Sequence, residues 1–157
     1  DATKQPVFAA GSYLHLQRWH YDMARWQQLD ILQQEEIMGI SKIEGSILPA
    51  ARLQHSSHTL TSRMGNVEST PLLVMQNMPF AQHNSQGLIS LSYAGEADSF
   101  RQQLSYQLGY RHDNSDMLQP LNNQYDLLFD FCHTDLCAAF FAPSLSFLEM
   151  ACLPASG

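Results

Sequence analysis

The order of elements in this sequence predicts an α+β fold, an antiparallel ferredoxin-like sheet with helices packed on one face. Three observations carry this expectation. Residues 12–19 alternate polar with apolar side chains, the period of a strand with one face buried. Two short apolar runs, 71–75 and 87–94, follow a helical crossover and read as neighbouring buried strands. A helix-period segment then separates them from a last apolar strand at 137–142.

Taken in order, residues 1–10 show no sustained period and read as a lead-in. The strand over 12–19 is followed by Asp22, whose carboxylate can cap a helix over 23–29. Asp30 caps a second helix over 31–38, which Gly39 ends by tolerating a left-handed residue. Residues 40–69, with Gly45, Pro49, Gly65 and many Ser and Thr, suggest no regular element; a connection of this length is often functional. A loop containing Pro79 joins the two apolar strands. Phe100, Leu104 and Leu108 recur every fourth residue in a helix over 98–110. A polar stretch over 111–123 precedes a short helix over 124–131. Pro143 stops the last strand and Ser144 caps a closing helix through Met150, leaving 151–157 as a tail after one domain over 11–150.

Composition narrows the classes of function. Of 157 residues, 45% are hydrophobic and 15% charged, the balance of a folded domain. The net charge of −7 is spread along the chain and the eight Lys and Arg are unclustered, which argues against nucleic acid as a partner. No apolar run approaches the roughly 20 residues that span a bilayer. Cys132, Cys137 and Cys152 are odd in number and lack CxxC spacing, so reduced thiols in a cytoplasmic protein are expected.

Several separated segments carry a resemblance. Gly11-Ser12-Tyr13 opens a strand ending in Gln17-Arg18-Trp19; His20 to Trp26 and Gln33 to Gly39 form the crossover; then come Ser57-His58, Asn77-Met78-Pro79-Phe80, and Phe140-Phe141-Ala142-Pro143-Ser144 with Phe147-Leu148. In this order they resemble the C-terminal half of dye-decolorising-type haem peroxidases, particularly the bacterial cytoplasmic branch. That resemblance implies a haem b cofactor with His58 as axial iron ligand, hydrogen peroxide and a small organic reductant as substrates, and either a homo-oligomer or a companion N-terminal half. It also implies Asp126 as the acceptor that orients the ligand, with Asp130 the fallback, and Asn77 as a distal catalytic amide. A metal-bound histidine must be neutral and donate its other N–H, so the pairing is chemically apt. His55 lies close by, but the serine preceding the family's ligand stands before His58.

The sequence departs from the family on the distal side. Peroxide cleavage needs a proton-transferring group and a cation for developing charge. The family's upstream GxxDG aspartate has no counterpart, since no Asp-Gly pair occurs. The distal arginine position is Met75, a thioether with no donor. The GRxK pattern near the haem propionates is Gly39-Ile40-Ser41-Lys42, leaving only Lys42, and an aromatic position over the distal haem face is Ser90. His83 as a substitute base reads better as a solvated loop residue. Trp19, Trp26, Tyr13 and Tyr93 read as core before electron relays. Three readings therefore compete. They are a peroxidase half, a degenerate haem-holding or assembly module, and a ferredoxin-like sheet oligomerising around a small-molecule site without His58 ligation.

Overall fold

The computed structural model describes residues 8–62, 73–83, 85–112, 118–120 and 125–152. Gly65, Pro71, most of the expected lead-in and most of the tail lie outside the described residues. Strands β1 (Ser12–Tyr21), β2 (Val74–Gln82), β3 (Ser85–Ala94) and, near the C-terminus, Cys132–Ala142 form one antiparallel sheet. With β4 (Tyr110–His112) and β5 (Leu118–Pro120) forming a separate ladder, that last strand is β6, and the sheet order is β2-β3-β1-β6. First and third strands in the centre, second and fourth at the edges, is the ferredoxin-like order the sequence predicts.

The crossover contains α1 (Met23–Trp26) and α2 (Ile31–Met38). The helix expected over 23–29 is only one turn long, because its chain turns at Gln27 toward the next cap. At α2 the reading is met in full. Asp30 accepts from the Gln33 amide at 2.8 Å while the Gln33 side chain accepts from the Asp30 amide at 3.0 Å, a reciprocal capping box. Gly39 then turns left-handed at φ 75°, and a Cβ there would also press on the Ser57 hydroxyl at 2.9 Å.

Three expectations are corrected. Among the described residues of 40–69 a single helical turn, α3 (His58–Thr61), is present. Its HTLT sequence is too short for any period to register. Pro79 lies inside β2, not in a loop, and pairs with Leu88. β2 is an edge strand, where a residue without an N–H leaves no central ladder bond unmade. The last strand begins at Cys132, five residues earlier than its apolar signature, since its polar start runs along β1. Beyond β3, α4 (Asp98–Gln107) matches the expected helix, a 3-10 turn (Leu127–Phe131) stands where a helix was expected, and α5 (Leu145–Cys152) closes the chain with the Phe147 amide donating to the Ser144 hydroxyl at 3.2 Å.

Register divides the sheet into two faces. His15, Gln17 and Trp19 of β1 face α3 and α4, and lie level with Ser92, Ser90 and Leu88 of β3. The opposite face carries Val74 and Met78 of β2, Tyr93 of β3, and Leu136 and Phe140 of β6. All five are exposed, Val74 at 64% and Phe140 at 51%. Among the described residues, only Ile37, Leu48 and Ala94 are buried apolar residues, whereas ten polar ones are buried. No helix of the described residues is long and apolar enough to cross a membrane.

At Gly87 a Cβ would overlap the Trp19 carbonyl across the β1–β3 ladder. Gly87→Ala is therefore expected to cost about 1–3 kcal/mol of stability, measured by urea denaturation; an unchanged midpoint would contradict this register.

Candidate functional site

The polar interior converges on Asp126. Its side chain is 0% exposed and accepts from His58 Nδ1 at 2.7 Å, from the Thr61 hydroxyl at 2.8 Å and from the Leu128 amide at 3.0 Å. Its own backbone N–H donates to the Gln107 carbonyl at 2.7 Å, and the neighbouring Leu127 N–H donates to the Ser56 carbonyl at 3.1 Å. One residue thus ties the end of α4 to the turn that carries His58. Buried carboxylates are tolerated when fully hydrogen-bonded, and this one has three donors. The carboxylate accepts from Nδ1 of His58, an arrangement that in a neutral imidazole leaves the lone pair on Nε2.

His58 lines a cavity between the sheet and α4. The floor is a lattice of cross-strand neighbours. Asn77, Ser90 and Gln17 form one row, and Met75, Ser92 and His15 form the next. Leu73, Leu88, Phe100, Leu104, Leu128 and Phe129 supply the apolar wall. Trp19 stacks on Phe129 with ring centroids 5.4 Å apart. The cavity has a volume of ≈ 110 Å³ and opens on one side to solvent. Ordinary ligand pockets hold ~300–1,000 Å³, so a large planar group seated here would project into the open part.

Of the residues singled out in the sequence, His58, Met75, Asn77 and Ser90 line this cavity together, and Asp126 stands directly behind His58. Lys42 does not join them. It lines a separate cavity with Glu35, where its Nζ donates to the Gln34 side chain at 2.8 Å. Asp130 is engaged elsewhere, accepting from the Tyr125 hydroxyl at 3.0 Å. His55 and His83 are exposed, His83 at φ 44° in the β2–β3 turn. Tyr13 packs edge-on against Phe141, Tyr93 lies on the opposite sheet face, and Trp26 packs edge-on against Phe131.

Sequence reading missed Thr61, Ser92, His15, Gln17 and Gln103. The alternation of β1 already places His15 and Gln17 on the face of Trp19, so that signal was present. Thr61 and Gln103 depend on tertiary contact: Thr61 reaches Asp126 across 65 positions, and the Gln103 amide approaches Met75 Sδ at 3.9 Å. Cys132 also lines the cavity. Burial, then the Asp126 charge, pushes its thiol up to about 11, and its Sγ donates to the Leu128 carbonyl at 3.3 Å.

Among the described residues no group of three or more His, Cys, Asp or Glu is placed to hold a bare metal ion. The donor set is instead a single oriented imidazole over an apolar-walled cleft. That set suits a metal already held in a planar macrocycle, which leaves one axial position for protein.

Comparison with known proteins identifies the family and the fold. A family model described as "Dyp-type peroxidase, C-terminal" matches residues 2–147. Dye-decolorizing peroxidases of Rhodococcus erythropolis and Mycobacterium tuberculosis are 27% and 26% identical over 93% and 90% of this chain, and the match covers 41% of each. The chain therefore spans about two fifths of the length of these relatives. A dye-decolorizing peroxidase from Bacteroides thetaiotaomicron superposes with a TM-score of 0.76 at 27% identity, covering 91% of this chain and 43% of that one. A variant of DypB from Rhodococcus jostii RHA1, solved in complex with heme, superposes at 0.74 with 26% identity, covering 93% and 45%.

Two outcomes follow from the buried network. Asp126→Ala strands the donors of His58, Thr61 and Leu128, and is expected to lower stability by about 3 kcal/mol; a loss below about 1 kcal/mol in denaturant titration would mean that the network is not structural. Burial, which raises the Cys132 thiol to about 11, leaves little thiolate at pH 8. Iodoacetamide should modify it far more slowly than exposed Cys152, as read by peptide mass spectrometry.

Proposed function

Because the chain belongs to the C-terminal family of Dyp-type peroxidases, we propose that it is the haem-ligating part of such an enzyme, with His58 as the axial iron ligand. The observation that carries this is His58 Nδ1 held at 2.7 Å by a buried carboxylate, in a ring that lines the cavity. The residues fit haem b. Nε2 would be the nitrogen left for iron, Asp126 would give the imidazole anionic character, and the leucine and phenylalanine side chains would offer the macrocycle an apolar wall. Haem, when bound, supplies the iron at which peroxide is reduced and electrons from an organic donor are accepted. The chain's own contribution is to fix one imidazole tautomer and to shape a cleft with an apolar wall.

The distal side rests on Asn77 and Ser90, side by side across β2 and β3. The Asn77 amide would supply a hydrogen-bond donor on that side of the cavity, and buried Ser90 would leave space where the family places an aromatic ring. Lys42, set in a different cavity, would reach a haem propionate only by leaving Gln34. Hydrogen peroxide and a small reducing substrate are the proposed substrates, in the cytoplasm. The exposed apolar sheet face calls for a covering partner, either a companion N-terminal half or a second copy of the chain, and the domain over 11–150 is the unit that meets it.

Met75 favours a second reading, a module that holds haem with little turnover. Its thioether offers no donor at the position of the family's arginine, and losing one such electrostatic group costs about 10²–10³ in rate.

Haemin titration is the direct test. The chain should give a Soret shift that His58→Ala abolishes; an identical shift in that variant would overturn the ligand assignment. In the haem-loaded chain, Met75→Arg should raise peroxide-dependent oxidation of an organic donor by about 10²-fold. An unchanged rate would locate the deficit in the length of the relatives that this chain does not span.

A further inference from the structure

A second chemical pair lies on the cavity face of the sheet, apart from His58. Cys137 of β6 stands level with Gln17 of β1, so it extends the row Asn77–Ser90–Gln17 to the sheet's open edge. Its side chain is exposed. Its Sγ lies 3.1 Å from His15 Nε2, one strand over. The His15 ring packs against Phe100 of α4 with centroids 5.0 Å apart, which limits its rotation. This is the arrangement by which a thiol is activated: a nucleophile within hydrogen-bond reach of a base, the base steadied by a third group. Burial lowers the pKa of His15, which favours the neutral ring, the form that can accept a thiol proton.

The other two cysteines lack this setting. Cys132 is half-buried with a raised pKa and bonded to a carbonyl. Cys152 is exposed, but no hydrogen bond joins it to an imidazole among the described residues.

We propose that Cys137, paired with His15, is a peroxide-reactive thiol and a site of reversible oxidation on the edge strand beside the cleft. The sulfur attacks one oxygen of hydrogen peroxide, forming an S–O bond as the O–O bond breaks. His15 takes the thiol proton and passes it to the departing oxygen, which leaves as water. Sulfur is oxidised by two electrons to a sulfenic acid, and the peroxide is reduced by two. A second thiol, such as glutathione, then condenses with the sulfenic acid to a mixed disulfide and releases a second water. This reaction needs no haem, so it stands apart from the His58 reading.

The test uses the whole chain without added haemin, exposed to low micromolar hydrogen peroxide with a dimedone-type probe and followed by peptide mass spectrometry. Cys137 should be labelled roughly tenfold or more faster than Cys152, the exposed control, since general-base assistance typically contributes 10²–10⁴-fold and a neutral thiol contributes little. His15→Gln keeps a polar group beside the sulfur but removes the base, and should bring Cys137 down to the rate of Cys152. Equal labelling of the two cysteines in the unaltered chain would overturn the proposal, whatever the variant's stability. So would an undiminished Cys137 rate in a folded His15→Gln chain.

Discussion

A carboxylate with no solvent contact is the constraint on which the rest of this structure depends. Asp126 is tolerable inside the protein only while all its donors are in place, and those donors come from two distant stretches of chain. Satisfying it fixes α3 against the 3-10 turn and, through the Asp126 and Leu127 amides, fixes both against the end of α4 and the loop at Ser56. The imidazole orientation is therefore a by-product of burial. The same interaction that makes the interior possible selects which ring nitrogen faces the cavity.

The sheet explains why so little of the interior is apolar. Its two faces serve different ends. One presents rows of small polar side chains, Ser90 and Ser92 at the centre, which leave room above them. The other presents Val74, Met78, Tyr93, Leu136 and Phe140 with no helix laid over them among the described residues. An isolated ferredoxin-like unit would cover at most one face with its own helices, and here the second face stays apolar and exposed. At its margin Arg18 pairs with Asp135 through two bonds, at 2.8 and 2.6 Å, and His20 approaches the same carboxylate at 3.0 Å. This charged rim borders the apolar face and draws the Asp135 carboxyl well below the usual range, chiefly through the Arg18 bonds.

Much of the fold was legible because local chemistry and tertiary structure agree there. The alternation of β1, the Asp30–Gln33 box, Gly39 and the period of α4 are all signals that need no partner to be read. The misreadings have physical causes. Pro79 argued against a strand because the sheet order, which makes β2 an edge, is invisible to a local pattern. The one-turn α3 exists because Asp126 and the Met38 carbonyl hold it, the latter accepting from Thr59 Oγ1 at 2.7 Å. For the site, His58, Asp126, Met75, Asn77 and Ser90 were reached through resemblance, and composition alone would have singled out none of them. Lys42 shows the limit of that route: the motif position is kept while its side chain points into another cavity. The His15–Cys137 pair needed the β1–β6 register, which no spacing in the sequence encodes.

The 68 positions between His58 and Asp126 have a kinetic side. Contacts so remote in sequence form only after the intervening chain has paid its loop-closure entropy, here β2, β3 and α4. Until then His58 is an ordinary imidazole on a loose loop, free in either tautomer and with no carboxylate behind it. The orientation of this imidazole is thus a product of tertiary structure and is not set by the segment that carries it. A partly folded chain therefore lacks the oriented imidazole that the finished protein presents to the cavity.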